Sequence, residues 1–299
     1  MRTVRGLLRP ALATAVLAVV VWRVGTGPFL DGVRDVDGRA LAFAGAVGAL
    51  TTVCCAWRWS VVARGLGVPL SLPSAVAAYY RSVFLNLSLP GGVAGDVHRG
   101  VRHGRDVHDV GRALRSVAWE RAAGQFVQAV ITAAVLVVLP SPVHRFMPVA
   151  CIALVALAAG VVLVARRRNV VATDIRDGLL RRRALPVIVL TSTVVVLGHA
   201  ATFVVAARTA GVDASVVHLL PLTLLAMLGM VLPSLAGWGP REGVTAWVFA
   251  AAGLGAGRGA AAAVAYGVIV LAAGLPGALV LLAEWIPRPA RVAVDGRSR

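Results

Sequence analysis

Apolar residues along this chain gather into long unbroken runs instead of alternating with polar ones: Pro10–Trp22, Ala40–Trp57, Leu114–Leu139, Pro148–Ala165, Ala184–Ala207 and Ala260–Ala283. Several approach or exceed the roughly 20 residues a helix needs to cross about 30 Å of hydrocarbon. Strands of that length are rare, and a transmembrane barrel is written in shorter segments of alternating polarity. The pattern therefore predicts an all-α fold, a polytopic membrane helix bundle with about 6–8 transmembrane helices.

Two further apolar stretches are broken. Ala75–Leu89 runs into Pro90-Gly91-Gly92-Val93-Ala94-Gly95, and Leu219–Leu232 runs into Pro233-Ser234-Leu235-Ala236-Gly237-Trp238-Gly239-Pro240 before the short piece Val244–Leu254. Each break is a Leu-Pro, a glycine-bearing turn, then an acid and a base: Asp96 and Arg99 in the first, Arg241 and Glu242 in the second. A re-entrant hairpin or a pair of half-helices suits each better than two complete spans. The expected layout is one transmembrane domain over 1–299, with pseudo-repeated halves at about 7–140 and 184–285, a basic loop at 166–183 and a basic tail at 286–299. Pro- and Gly-rich interruptions at matching places in two halves point to a transporter's binding site. Lipid cannot satisfy bare peptide groups, so such a turn is packed in protein or lines a wet cavity. The competing reading is a pair of ordinary surface loops, which Pro and Gly also mark.

Composition agrees with the pattern. The chain is 59% hydrophobic, with a mean hydropathy of +0.83; soluble domains are about 45–50% apolar even with glycine counted. Its net charge of +17 comes from arginine alone, since lysine is absent. Arginines crowd beside apolar runs, as the positive-inside pattern requires: Arg2, Arg5 and Arg9; Arg58 and Arg64; the stretch Arg99–Arg121; Arg166–Arg183; and Arg288, Arg291, Arg297 and Arg299. That pattern predicts a bacterial-type cytoplasmic membrane with both termini on the cytoplasmic side, and it predicts anionic membrane lipids as partners. With no nucleic-acid motif beside the charge, nucleic acid is not an expected partner. Arg2–Trp22 resembles a signal peptide but lacks a small-residue cleavage site, so it reads as an uncleaved first helix. Cys54, Cys55 and Cys151 all sit in apolar runs and read as small apolar side chains.

The residues that could carry chemistry lie around the breaks. Asn86 is an amide in an apolar stretch and needs a partner. Asp96 and Arg99, three apart, share a helix face; Asp96 could also cap the helix after the glycines. Read functionally, they make a headgroup-phosphate pocket, with Arg99 as its cation and helix N-terminal N–H groups as donors. Read structurally, they make a cap and a surface salt bridge, and the residues alone weigh these about evenly. Glu120 and Arg121 open a span, where ionisable groups pair or face a cavity. Pro240 suits a first helical turn, which puts Glu242 near its positive end. His98, His103 and His108 recur every five residues and spread around a helix, so neither a metal nor any other cofactor is expected. His199, in the middle of an apolar run, reads as an interhelical hydrogen bond or a proton-coupling group. Spacings such as Gly253–Gly257 read as close helix packing. No nucleophile–base set, phosphate-binding loop or dinucleotide fingerprint is present, so an enzyme is not expected.

Asn86-Leu87-Ser88-Leu89-Pro90-Gly91-Gly92-Val93-Ala94-Gly95-Asp96-Val97-His98-Arg99, the Glu120-Arg121 pair, and Leu232-Pro233 through Gly237, Gly239, Arg241 and Glu242 occur together and in order. In these motifs the chain resembles the transmembrane region of lysylphosphatidylglycerol synthase, also described as flippase-like, over roughly Leu7 to Trp285. Ala94 departs from that pattern, which leads one to expect glycine there. The resemblance implies a lipid translocator with both signatures near a central site, in a stand-alone member without the soluble domain that performs lysyl transfer. Its implied site residues are Asn86, Pro90, Gly91, Gly92, Gly95, Asp96, Arg99, Glu120, Arg121, Pro233, Gly237, Gly239, Arg241 and Glu242. The alternatives are a membrane enzyme that modifies a lipid headgroup and a non-catalytic membrane subunit of a cell-envelope pathway, which would have an envelope-biosynthesis protein as partner.

Overall fold

A computed structural model of the chain describes residues 38–89, 92–141, 143, 147–229 and 240–285. The expected first helix, the basic tail and Pro90, Gly91, Pro233, Gly237 and Gly239 lie outside the described residues. Among those described, the secondary structure is helical throughout.

The first half reads α1 (Gly38–Gly65), α2 (Leu72–Ser88), α3 (Ala94–Asp106) and α4 (Val110–Val138). After α5 (Met147–Arg167), the short α6 (Asn169–Asp174) and one π-helical turn (Ile175–Leu179), the second half follows. It reads α7 (Ala184–Thr209), α8 (Val216–Gly229), α9 (Pro240–Ala251), α10 (Ala256–Gly274) and α11 (Pro276–Trp285). Among the described residues, four segments are long and apolar enough to cross a membrane: Gly38–Gly65, Val110–Val138, Ala184–Thr209 and Ala256–Ala283. At 1.5 Å per residue, the 28 residues of α1 reach about 42 Å, more than the hydrocarbon requires.

The first four helices of each half share one order: long, short, short, long. Packing between them repeats as well. The first long helix of each set meets the last long helix of the other (α1 on α10, α7 on α4), and the first short helix of each does the same (α2 on α10, α8 on α4). Helices α1 and α7 pack together between them. Local signals set the short elements. Ser71 caps α2 by accepting from the Ser74 N–H, and Asp109 caps α4 by accepting from the Arg112 N–H at 2.8 Å. Gly92 holds φ +66° in the break before α3, a left-handed value that a β-carbon resists. Helix α3 then folds back along α2, so close that a β-carbon at Gly95 would overlap the Ser82 carbonyl.

The bundle's solvent logic is that of lipid. Leu190 and Leu197 on α7, Val137 on α4 and Leu163 on α5 point outward. Arg58, Asp96, Arg99, Glu120, Gln128 and Ser192 are buried within. Apolar packing fills the rest: Trp59, Val62, Ala75, Val117 and Ile188 in one cluster, Phe203, Leu222, Phe249, Tyr266 and Ile269 in another.

Four expectations change. The stretch 166–183 is not a loop: it ends α5, forms α6 and turns once as a π-helix, tied down by Arg115 and Trp119, which donate to Asp174 at 2.8 and 3.0 Å. Arginine is a good helix former, so a basic stretch need not be irregular. Arg58 does not mark the end of a span. Helix α1 continues to Gly65, which leaves Arg58 seven residues, or about 10 Å, inside it. Asp96 does not cap α3; Val93 holds the cap position without a side-chain bond, and Asp96 stands inside the first turn. Gly253 and Gly257 are not packing glycines. A β-carbon at either would meet open space, and Gly253 instead supplies φ +75° to the turn before α10.

Candidate functional site

Five charged side chains from three helices form one buried network. Glu120 of α4, fully buried, accepts from Arg58 of α1 (Nε to Oε1 2.9 Å, Nη2 to Oε1 2.5 Å) and from Arg99 of α3 (Nη2 to Oε2 2.7 Å). The Tyr79 hydroxyl adds a longer bond to Oε1 at 3.2 Å. Arg99 Nε also donates to Asp96 Oδ1 at 2.9 Å, and Arg121 pairs with Asp96 Oδ2. Asp96 is completed by the Ser82 hydroxyl at 3.0 Å and the Asn86 amide at 2.8 Å. Asn86 in turn accepts from the Gly95 N–H at 2.8 Å, which latches α2 to the start of α3. Arg58 reaches across to the Ser192 hydroxyl of α7 at 2.9 Å. The Arg99 guanidinium lies over the rings of Trp59 and Tyr79, with centroid distances of 4.6 and 4.3 Å. Three cations face two anions, so the network carries a formal excess of one positive charge.

Sequence reasoning named Asn86, Gly95, Asp96, Arg99, Glu120 and Arg121, and the fold brings all six together. Arg99, however, is occupied by two carboxylates, and the Gly95 N–H is taken by Asn86. Arg121, with 38% of its side chain exposed, is the network cation with the most open surface. Arg241 and Glu242 pair with each other at the start of α9. Arg241 lies 5.3 Å from the Tyr266 ring centroid, and the Tyr266 hydroxyl is 2.9 Å from His199 Nδ1. His199 thus makes the interhelical contact expected of it.

Beside the network lies a cavity of about 290 Å³. Its polar lining includes Arg58, Asn86, Asp96, Arg121, Gln125, Gln128, Ser192, His199 and Tyr266; neither Arg241 nor Glu242 lines it, and Tyr266 stands between. Gln125 Oε1 and Gln128 Nε2 are buried without hydrogen-bond partners, an unusual state for buried amides. A second cavity, of about 370 Å³, lies on the other side of the network. The two follow one another along α1 and α2: the first touches Ala44 through Arg58 and Tyr79 through Asn86, the second Trp59 and Ser71 through Arg81. Arg58, Tyr79 and Asp96 line the first and Trp59 and Arg99 the second, and Glu120 bonds to both Arg58 and Arg99.

Arg58, Tyr79, Gln125, Gln128 and Tyr266 escaped the sequence reading. A signal existed for some. Arg121, Gln125, Gln128 and Thr132 fall at i, i+4, i+7 and i+11, a polar stripe along one face of an apolar helix. Nothing local marked Tyr79 or Tyr266.

An apolar exterior, an ionised interior and, among the described residues, four span-length helices define a multi-pass membrane protein with polar cavities inside the bundle. The chain belongs to the lysylphosphatidylglycerol synthase TM region family, whose model matches residues 6–277. Comparison with curated proteins yields no match.

Proposed function

We propose that this protein moves a lipid with an anionic or otherwise polar headgroup between membrane leaflets, the headgroup passing through the two cavities while the acyl chains stay in lipid. The observation that carries this reading is the pair of cavities in series, divided by an ion-paired wall. A translocator needs a polar chamber toward each face and a barrier that opens to one at a time. Salt bridges suit such a barrier because they hold only in one geometry and can exchange partners when helices shift. The excess positive charge, presented by Arg121 on the first cavity, favours an anionic group. In the sequence, the Leu-Pro and glycine-rich breaks after Leu89 and Leu232 suit re-entrant hairpins. The arginine pattern supports a cytoplasmic membrane with both termini inside.

The test is reconstitution of purified protein into liposomes carrying labelled lipids of several headgroups. Faster exchange between leaflets than in protein-free vesicles, lost in Arg121→Gln, is expected. Exchange no faster than in protein-free vesicles for every headgroup tried removes the proposal.

A further inference from the structure

The first cavity is ionic in one part and neutral in another. Arg58, Asp96 and Arg121 line the ionic part. Along α4, Gln125 and Gln128 follow Arg121 by four and seven residues, which carries the lining about 6 and 10 Å further along the helix axis. Gly48 and Thr51 of α1 and Ala273 and Gly274 of α10 also line the cavity, and their small side chains keep the space open. Helices α1 and α10 meet closely beside it: a β-carbon at Gly48 would sit 2.9 Å from that of Ala273. At about 290 Å³ the volume is close to the roughly 300 Å³ at which small-molecule pockets begin.

Other polar groups of this lining are already engaged. Thr51 donates to the Gly48 carbonyl at 3.1 Å and Thr202 to the Gly198 carbonyl at 3.0 Å. Tyr266 and His199 bond each other, and Ser192 accepts from Arg58. The two glutamines differ. Gln128 is only 8% exposed, and its Nε2 has no partner; neither does Gln125 Oε1. A buried amide left half-paired destabilises the fold that carries it. Such a cost is characteristic of binding positions, where stability is given up for function.

One free acceptor and one free donor decide the chemistry of the occupant. A phosphate diester or a carboxylate only accepts, which leaves Gln125 Oε1 bare; an ammonium only donates, which leaves Gln128 Nε2 bare. Asp96, the carboxylate on this cavity, already accepts from Ser82, Asn86, Arg99 and Arg121, so it has little left for an amine. A hydroxyl donates and accepts at once, and neighbouring hydroxyls suit two amides on one helix face. We infer that Gln125 and Gln128 form a binding site for an uncharged polyhydroxyl group, a sugar or polyol. The inference rests on the reading of the first cavity as a headgroup chamber, and it narrows that headgroup to a hydroxyl-rich one in preference to an amine-bearing one.

Binding is measured by calorimetric titration on full-length protein purified in an amine-oxide detergent, which carries no sugar and leaves no leaflets. The probes are glucosyl diacylglycerol and phosphatidylethanolamine with the same acyl chains, each in mixed micelles. Native protein binds the glucosyl lipid saturably and phosphatidylethanolamine at least about tenfold more weakly. Gln125→Leu and Gln128→Leu each weaken binding of the glucosyl lipid by at least about fivefold, the loss of one neutral hydrogen bond. Both variants melt at or above the native temperature, because no protein group loses a partner; that combination separates recognition from packing. The inference is overturned if native protein binds no glucosyl lipid or binds both probes alike. It is equally overturned if Gln128→Leu binds as native does, or melts lower by more than about 4 °C. The translocation reading fails separately. Glucosyl lipid bound in detergent but not moved in liposomes removes transport alone, and phospholipid exchange without glucosyl lipid binding removes this inference alone.

Discussion

Glu120→Ala isolates the central assumption, that one carboxylate holds two buried guanidiniums inside the bundle. Arg58 is 6% exposed at its side chain, and Arg99 and Glu120 are fully buried. At an effective dielectric of 20, unit charges 4 Å apart attract by about 4 kcal/mol, and Glu120 makes two such pairs. Desolvation offsets much of that in the intact protein. Truncation restores none of the hydration and leaves two cations facing each other. Breaking a buried pair this way costs about 3–5 kcal/mol, which implies a melting temperature lower by at least about 6 °C. Cys54 and Cys55 are buried and Cys151 is half-buried, so a thiol-reactive fluorophore reports unfolding in a Cys151→Ser background. Glu120→Gln, which keeps the shape and an acceptor, falls less. The double variant with Arg58→Ala is less damaged than the sum of the singles, by at least about 1 kcal/mol of coupling. A Glu120→Ala protein that melts within about 0.5 kcal/mol of native, the spread of ordinary surface changes, or singles that simply add, would refute the buried network.

Gly95→Ala drives a β-carbon into the Ser82 carbonyl; separating α2 from α3 costs about 1–3 kcal/mol, read as a lower melting temperature in the same assay. Arg121→Gln, whose side chain is 38% exposed, leaves melting close to native while slowing lipid exchange in liposomes several-fold; equal losses in both would make Arg121 a structural residue only. Tyr266→Phe removes the hydroxyl beside His199 and costs about 1 kcal/mol, measured by equilibrium unfolding.

Much of this protein was legible one residue type at a time. Hydropathy placed α1, α4, α5, α7 and α10 because the bilayer demands length and apolarity from each helix separately. The motif around Asn86–Arg99 marked a polar cluster because amides and ions in apolar stretches need partners. The errors came where charge was read as position. Arg58 and Arg99 counted toward loops under the positive-inside pattern, yet both are buried, since a matched arginine inside a bundle and a solvated one at its edge look alike in sequence. Stretch 166–183 looked like a loop for the same reason.

Sequence alone determined the helices, their membrane setting and the residues that could not face lipid unaccompanied, because those follow from the solvation of single segments. Only the tertiary structure decided which ions meet. Arg58 finds Glu120 sixty-two residues away and Ser192 on α7, and Arg99 lines the second cavity while Arg58, Asp96 and Arg121 line the first. Those outcomes depend on which helix faces cross, and that is settled by packing among distant segments rather than by any window of the chain.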